Sequence, residues 1–168
     1  MLPARLRTFF LIGGFASAAV LLASFCLENT LGLVPCSLCF SQRLLLGLYA
    51  WVCMCAVLHS PGMVGKRNYA VLALGCSLSG ALLASRHVWL QGAGLTVDAC
   101  QMPFAWMLEQ SWDQALKMLV LGGPDCTSLT WSFVDLTLPE WSLLAFLSLS
   151  ALPLSWLLGY RMRQLGKG

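Results

Sequence analysis

Residues 8–27 of the chain read TFFLIGGFASAAVLLASFCL, a run of 20 positions without a charged side chain. At about 1.5 Å of rise per residue, a helix of this length crosses the roughly 30 Å hydrocarbon layer of a bilayer. Three further uncharged stretches follow, at residues 44–60, 68–85 and 141–160. The sequence therefore predicts an all-α membrane protein, a bundle of four transmembrane helices that forms a single integral membrane domain over residues 1–168.

The composition excludes most other classes of protein. Of the 168 residues, 58% are hydrophobic and 10% are charged, and the mean hydropathy is +0.76. A soluble domain usually carries about 25% charged residues, so this chain could not cover itself with a hydrated surface. It is also far too hydrophobic for a disordered protein. The net charge of +3 is too small to indicate a nucleic-acid partner.

Basic and acidic residues are divided between the two sides of the predicted bundle. Two loops on one side, residues 28–43 and 86–140, contain all seven acidic residues. The positive-inside rule therefore places both termini in the cytoplasm and both of these loops outside. Seven of the ten basic residues lie on the opposite side, before the first span, between the second and third, or after the fourth: Arg5, Arg7, Lys66, Arg67, Arg161, Arg163 and Lys167.

The second outer loop contains one organised segment, at residues 103–121. Its apolar residues recur at steps of three and four, while Glu109, Asp113 and Lys117 repeat every four residues on another face. This pattern predicts an amphipathic helix that is too charged to span the bilayer and that lies in the membrane interface. Such a helix covers the top of the bundle, and it could also shield a reactive group beneath it.

Eight cysteines separate into two groups by predicted topology. Four fall within or at the end of a predicted span, where cysteine usually packs as a small hydrophobic residue: Cys26, Cys53, Cys55 and Cys76. The other four lie outside the membrane, where disulfides form and persist. Their spacing leaves three connectivities open. These four are divided equally between the two outer loops: Cys36, Cys39, Cys100 and Cys126.

The first pair forms a C-x-x-C motif, Cys36-Ser37-Leu38-Cys39. Such a motif can be a redox pair, a structural disulfide or half of a zinc site. The only two histidines of the chain are His59 and His87, so a zinc site would need all four outer cysteines, or His87 with three of them. The surroundings favour redox chemistry, and no resident metal is expected.

The motif opens the second span directly after Pro35. A helix N-terminus carries partial positive charge, which favours thiolates. On such a helix Arg43 lies one turn after Cys39 on the same face. An arginine in this position can stabilise a thiolate or an anionic electron acceptor, or it can extend its charge to the interface.

The second pair has the opposite electrostatic surroundings. Asp98 lies two residues before Cys100, and Asp125 immediately precedes Cys126. Nearby carboxylates disfavour a thiolate, so these sulfurs should be less anionic than Cys39. The pair could be redox-active or could act only as a disulfide that closes the outer loop.

Together, these motifs resemble the DsbB family of disulfide bond formation proteins. Residues 35–43, PCSLCFSQR, are similar to the family's P-C-x-L-C-x-x-x-R segment, and residues 87–91, HVWLQ, are similar to its H-x-x-L-Q segment. The four spans and the positions of the two loops resemble the family as well. At the positions of Gln42 and Arg86, the family often has acidic residues. These two departures bear on the tuning of the quinone site and on partner preference.

The resemblance implies a quinone-dependent thiol oxidase in the bacterial inner membrane, where a DsbA–DsbB–quinone system keeps the periplasm oxidising. By the same resemblance, Cys100 forms a mixed disulfide with a reduced periplasmic DsbA-like protein of the thioredoxin fold. Cys126 then carries the exchange on to the pair of Cys36 and Cys39.

The electron acceptor also follows from the resemblance. Cys39 would deliver electrons to a membrane quinone, ubiquinone in the first place and menaquinone as the alternative. Arg43 and His87 would be the cofactor-binding residues.

Three other interpretations remain open at this stage. A quinone reductase of the vitamin-K-epoxide-reductase type also combines a C-x-x-C motif, loop cysteines and a four-helix bundle, although its motif tends to come late in the chain. A non-enzymatic membrane protein that handles copper(I) or zinc would use cysteine and methionine ligands. The third interpretation is a purely structural membrane subunit.

Overall fold

Four long helices dominate the computed structural model, which describes residues 3–32, 36–92, 112–122 and 132–166. They are α1 (Pro3–Leu31), α2 (Ser37–His59), α3 (Met63–Gly92) and α5 (Leu138–Leu165). Each of the four contains a segment long and apolar enough to cross a membrane. The predicted all-α bundle of four membrane-spanning helices is confirmed.

Between α3 and α5, the described residues form a short helix and a small hairpin on the side of the bundle that carries the C-x-x-C motif. The helix α4 (Trp112–Leu121) corresponds to the second half of the predicted interfacial segment, and residues 103–111 lie outside the described residues. The strands β1 (Ser132–Phe133) and β2 (Leu136–Thr137) pair in antiparallel fashion directly before α5. The sequence analysis did not predict this small hairpin.

All four long helices extend beyond the predicted spans. Residues 28–31 and 37–43, which the sequence analysis assigned to an outer loop, are helical, and so are residues 86–92 at the end of α3. Hydropathy marks only the part of a helix that hydrocarbon surrounds, whereas the backbone hydrogen bonds continue into the interface. Glu28, Arg43 and His87 are therefore held on rigid helices and not on loops.

Local sequence explains where the helices begin and end. Cys36 is the N-cap of α2, and its Sγ accepts a hydrogen bond of 3.3 Å from the backbone nitrogen of Cys39. At the other end of α2, Ser60 adopts a left-handed conformation with φ of 42°. At the start of α5, the Glu140 carboxylate accepts a 2.7 Å hydrogen bond from the backbone nitrogen of Thr137.

Small residues and buried hydroxyl groups hold the bundle together, as expected where lipid and protein interior are equally apolar. The Tyr49 hydroxyl donates a 3.0 Å hydrogen bond to the Leu149 carbonyl and so joins α2 to α5. Ser17 on α1 donates a 2.8 Å hydrogen bond to the Leu46 carbonyl on α2. Phe146, which is fully buried, packs over Gly80 of α3.

The contact between Gly80 and Phe146 generates a stability prediction. A Cβ atom at residue 80 would overlap the Phe146 ring, so Gly80→Ala forces α3 and α5 apart. We expect a loss of about 1–3 kcal/mol in the free energy of unfolding, the usual cost of overpacking. Thermal unfolding of the purified protein in detergent measures this loss.

Gly75→Ala is the matched control, because a Cβ there meets no heavy atom of the described residues within 4 Å. It should be neutral or slightly stabilising, since alanine favours a helix by up to about 1 kcal/mol over glycine. Equal melting temperatures for the two variants would show that the packing of α3 on α5 does not depend on Gly80.

Candidate functional site

The C-x-x-C motif is at the N-terminus of α2, with its two sulfurs side by side. The Sγ atoms of Cys36 and Cys39 are 2.8 Å apart. Cys36 is 2% exposed, whereas Cys39 is partly exposed. Two sulfurs at this separation can pass between the dithiol and disulfide states with little backbone movement. The partial positive charge of the helix N-terminus favours the thiolate that such exchange requires.

The structure brings His87 to this pair from α3, 51 residues later in the chain. Its Nε2 lies 3.6 Å from the Cys36 Sγ, and the side chain is fully buried. The sequence analysis predicted His87 as a site residue, and the structure places it beside the sulfurs. It does so because α3 remains helical through Gly92, well past the predicted span.

Arg43 lies on α2 one turn beyond Cys39, as predicted, but it does not act alone. Its guanidinium forms an ion pair with the Glu28 carboxylate on α1. It also donates a 3.2 Å hydrogen bond to the Ser24 carbonyl and lies 4.7 Å from the centre of the Phe25 ring. The fixed charge is thus held near Cys39 and compensated at the same time.

Sequence reasoning missed Glu28, which it assigned to a loop. A signal was nevertheless present, because the next acidic residue after Glu28 is Asp98. A single carboxylate at the outer end of the first span, opposite a single arginine near the start of the second, indicates an interhelical pair.

A cavity of about 250 Å³ adjoins Cys39. Its walls come from α1, α2 and the beginning of α5, with His87 contributing from α3. They are mostly apolar, with a few polar side chains among them, which is the usual character of a small-molecule site. The polar and charged residues that line it are Ser24, Glu28, Cys39, Gln42, Arg43, His87 and Ser142.

Gln42 lines this cavity and has one unsatisfied hydrogen-bonding group. The residue is 5% exposed, and its Oε1 accepts a 2.8 Å hydrogen bond from the Ser142 hydroxyl. Its Nε2 has no hydrogen-bond partner among the described residues. An unsatisfied buried amide costs about 1–3 kcal/mol. From the sequence, Gln42 is distinguished only as a departure from the family pattern.

The C-terminal end of α4 contacts α2 and α3 next to the sulfur pair. Ser41 on α2 donates a 2.8 Å hydrogen bond to the Leu119 carbonyl, and Arg86 on α3 donates one of 2.8 Å to the Leu121 carbonyl. Arg86 therefore caps the C-terminus of α4, where a cation is favourable. Gly122 follows with φ of 81° and packs against Leu38. Residues 112–121 of the segment expected to form a covering helix are helical, and the C-terminal end of this helix lies next to the motif.

The apolar side of α4 faces away from the protein. Trp112, Leu116 and Val120, spaced at four-residue steps, are 85%, 64% and 51% exposed. This arrangement favours a helix that rests in the membrane interface while its backbone carbonyls contact α2 and α3.

Two of the predicted catalytic residues, Cys100 and Cys126, lie outside the described residues, as do Asp98 and Asp125. The structure thus brings together Cys36, Cys39, Arg43 and His87, and the second cysteine pair stays a prediction.

Known proteins match nearly the whole chain. A family model described as disulfide bond formation protein DsbB matches residues 6–156. The chain is 65% identical to disulfide bond formation protein B 2 of Pseudomonas putida, over 99% of both chains. It is 60% identical to the protein of the same name from Pseudomonas entomophila, over 96% of both chains.

The chain belongs to the DsbB family. A more distant relative, disulfide bond formation protein B of Stutzerimonas stutzeri, is 34% identical over 86% of this chain and 90% of its own. No solved structure matches the chain. Family membership confirms the predicted membrane thiol oxidase, a quinone-dependent oxidoreductase of the multi-pass inner-membrane class. It also favours this function over the vitamin-K-epoxide-reductase and structural-subunit alternatives.

The close packing of Gly122, the residue after α4, generates a second prediction. A Cβ there would lie 2.8 Å from the Leu38 Cδ1 and 3.0 Å from the Leu90 Cδ1, in a backbone conformation that alanine adopts with strain. Such strain costs about 1–3 kcal/mol. In Gly122→Ala, the motif of the reduced protein should therefore react with a charged maleimide about fivefold faster or more. Peptide mass spectrometry locates and times the labelling.

Gly92→Ala is the control, because a Cβ at residue 92 has no neighbour within 4 Å among the described residues. Its labelling rate should equal that of the unmodified protein. An unchanged rate in Gly122→Ala would mean that α4 does not restrict access to the sulfurs.

Proposed function

We propose that this DsbB-family protein oxidises the dithiol of a periplasmic DsbA-like protein of the thioredoxin fold and transfers the electrons to a membrane quinone, with Cys39 as the last sulfur in the relay. One observation carries the proposal. Cys39 belongs to the sulfur pair and also lines the cavity that Arg43, Gln42 and His87 share. In this arrangement the Cys39 sulfur is both a member of the disulfide relay and part of the wall of the cavity for a small-molecule acceptor.

The relay balances as a sequence of thiol–disulfide exchanges. A partner thiolate attacks the Cys100–Cys126 disulfide at Cys100, and the second partner thiol then releases Cys100 as the partner disulfide forms. The reduced loop pair next attacks the disulfide of Cys36 and Cys39. Two electrons and two protons have then moved from the partner to the C-x-x-C motif.

The acceptor supplies the remaining chemistry. A quinone, ubiquinone in our proposal and menaquinone as the alternative, takes up two electrons and two protons when it is reduced to the quinol. The chain's own contribution is a mostly apolar cavity of about 250 Å³, the Arg43 charge beside it and the unsatisfied Nε2 of Gln42. His87, in the same wall, is the second predicted cofactor-binding residue.

The Arg43–Glu28 pair suits this acceptor better than a lone arginine would. A cation beside Cys39 stabilises a thiolate and the anionic oxygen that develops on an acceptor. A lone cation at the membrane boundary would itself be costly, and Glu28 reduces that cost. Since both termini lie in the cytoplasm in our proposal, this end of the bundle faces the periplasm.

A serine scan tests the relay. Replacing any one of the four outer cysteines, Cys36, Cys39, Cys100 or Cys126, should abolish turnover of a reduced DsbA-like dithiol with a soluble quinone. Each removes one sulfur from an exchange that needs all four. Thiol loss over time is the measurement.

The four cysteines of the spans are the controls: Cys26, Cys53, Cys55 and Cys76. Serine at these positions should leave turnover within about twofold once folded protein is matched, because none of them lies at the site. Full activity in Cys100→Ser or Cys126→Ser would refute the relay. In the Cys126→Ser variant we expect a mixed disulfide between Cys100 and the partner to accumulate.

Arg43 has its own prediction. Arg43→Leu should raise the apparent Michaelis constant for quinone at least tenfold, corresponding to about 1.4 kcal/mol, and Arg43→Lys should raise it less. Lysine keeps the charge but loses the planar pair of donors. The constant for the dithiol partner should change little, because the partner enters at Cys100. Steady-state kinetics with both substrates varied provide the measurement.

Glu28 supplies the control that separates two causes. Arg43→Leu removes a cation and also leaves the Glu28 carboxylate without its arginine. The double variant Glu28→Gln/Arg43→Leu removes both charges. If it regains normal quinone dependence, the defect arises from the uncompensated carboxylate and not from a cation that acts on the acceptor.

Gln42 provides a prediction that does not depend on turnover. Gln42→Leu removes the buried N–H group, so quinone binding to the purified protein should weaken by about two- to tenfold, the contribution of one hydrogen bond. Equilibrium binding of a short-chain quinone in detergent measures this. Gln164→Leu, an exposed position near the end of α5, is the matched control. Unchanged affinity in Gln42→Leu would remove Gln42 from the site.

A further inference from the structure

Cys36, Cys39 and His87 together form a cluster of metal-binding donors, which we call the Cys–Cys–His cluster. Their ligand atoms, two sulfurs and an imidazole nitrogen, all lie within 4.8 Å of one another. Within the part of the chain that the structure describes, no other group of three histidine, cysteine or acidic side chains meets so closely. Two thiolates with one imidazole are a donor set that Zn²⁺ favours.

The distances between these donors suit a tetrahedral ion. With Zn–S bonds of about 2.3 Å and a Zn–N bond of about 2.05 Å, tetrahedral coordination separates sulfur from nitrogen by about 3.6 Å. The Cys36 Sγ and the His87 Nε2 are 3.6 Å apart. The two sulfurs, now 2.8 Å apart, would have to separate to about 3.8 Å. A side-chain rotation of Cys39, which is only partly buried, achieves this without moving the helix.

The cluster is also preorganised. Cys36 is the N-cap of α2, Cys39 lies in its first turn, and His87 is fully buried on α3. Because rigid elements already hold the donors together, a metal would not have to order a flexible loop before it binds.

The charges of the site balance for a divalent cation. Two thiolates carry −2, so Zn²⁺ gives a neutral complex, which suits a buried position at the membrane boundary. Arg43 is the nearby cation that would oppose metal binding, and the Glu28 carboxylate compensates it. Neutral His87 adds no charge.

We propose that the reduced form of this protein binds one thiophilic divalent cation, with Zn²⁺ as the reference ion, through Cys36, Cys39 and His87. Binding releases two thiol protons to solvent and transfers no electrons. The fourth coordination position is left for water, as in zinc sites with three protein ligands. The disulfide form has no thiolates to offer, so the site exists only in the reduced state. A metal-loaded pair cannot form its disulfide until the metal is removed.

This inference goes beyond the relay and can be tested without partner or quinone. The probe is Zn²⁺ alone, added anaerobically to the reduced Cys100→Ser/Cys126→Ser variant in detergent, so that the loop sulfurs cannot bind it. Competition against a chromophoric chelator gives the affinity, and elemental analysis after desalting gives the stoichiometry. We expect about one equivalent in the reduced protein and none once Cys36 and Cys39 form a disulfide.

Single replacements in the same background identify the ligands. Cys36→Ser or Cys39→Ser should abolish tight binding. His87→Ala should weaken it at least about tenfold, since even residues that only support a ligand contribute that much. His59→Ala and Cys26→Ser are the matched controls, because both residues lie outside the cluster, and they should bind as the background does.

A spectroscopic measurement covers the case in which His87→Ala does not fold. Co²⁺ added to the reduced background variant should give the intense visible bands of a tetrahedral ion together with thiolate charge-transfer absorption. Zn²⁺ should then remove both. Absence of one tight equivalent, undiminished binding in folded His87→Ala, or octahedral Co²⁺ spectra would each overturn the proposal. None of these outcomes bears on the relay, which the serine scan tests separately.

Discussion

The ion pair between Arg43 and Glu28 is the interaction on which the arrangement of the site depends. It joins α1 to α2 at the level of Cys39, where a lone charge would be costly. Breaking a buried pair by removing one partner typically costs about 3–5 kcal/mol, and this partly buried pair should approach the lower end of that range. The pair therefore does two things at once: it fixes the register of the two helices and holds a cation beside the reactive sulfur. Both of these helices line the cavity next to Cys39.

The two sulfurs of the motif have different neighbours, and this difference gives the site a direction. Cys36 is buried beside His87 and below the end of α4, whereas Cys39 lines the cavity with Arg43 and Gln42. In the proposed relay, electrons would therefore leave the pair from Cys39, the sulfur that lines the cavity. The Cys–Cys–His cluster uses both sulfurs of the same pair as thiolates, which is why metal binding and disulfide formation would exclude each other.

Hydropathy was sufficient to predict the number of long helices, because the cost of unpaired backbone groups in lipid leaves few alternatives. Spacing along one helix was sufficient to place Arg43 one turn from Cys39. Contacts between helices could not be predicted from hydropathy or spacing. Glu28 meets Arg43, and Ser142 meets Gln42 across 100 residues, only because of how the helices pack, and a one-dimensional pattern does not contain that packing. His87 was predicted from the family motif, and its distance to Cys36 depends on the extra turns of α3.

The two departures from the family pattern have physical roles in this chain. Arg86 caps α4 by donating to the Leu121 carbonyl, a contact that an acidic side chain could not make. Gln42 lines the same cavity as Glu28 and Cys39. A carboxylate at position 42 would add a second negative charge there and oppose the thiolate that the chemistry requires. A neutral amide avoids this repulsion while its carbonyl still accepts the Ser142 hydrogen bond. With Gln42 in place, Arg43 has a single carboxylate to compensate among the described residues, and this one ion pair sets the electrostatic balance beside Cys39.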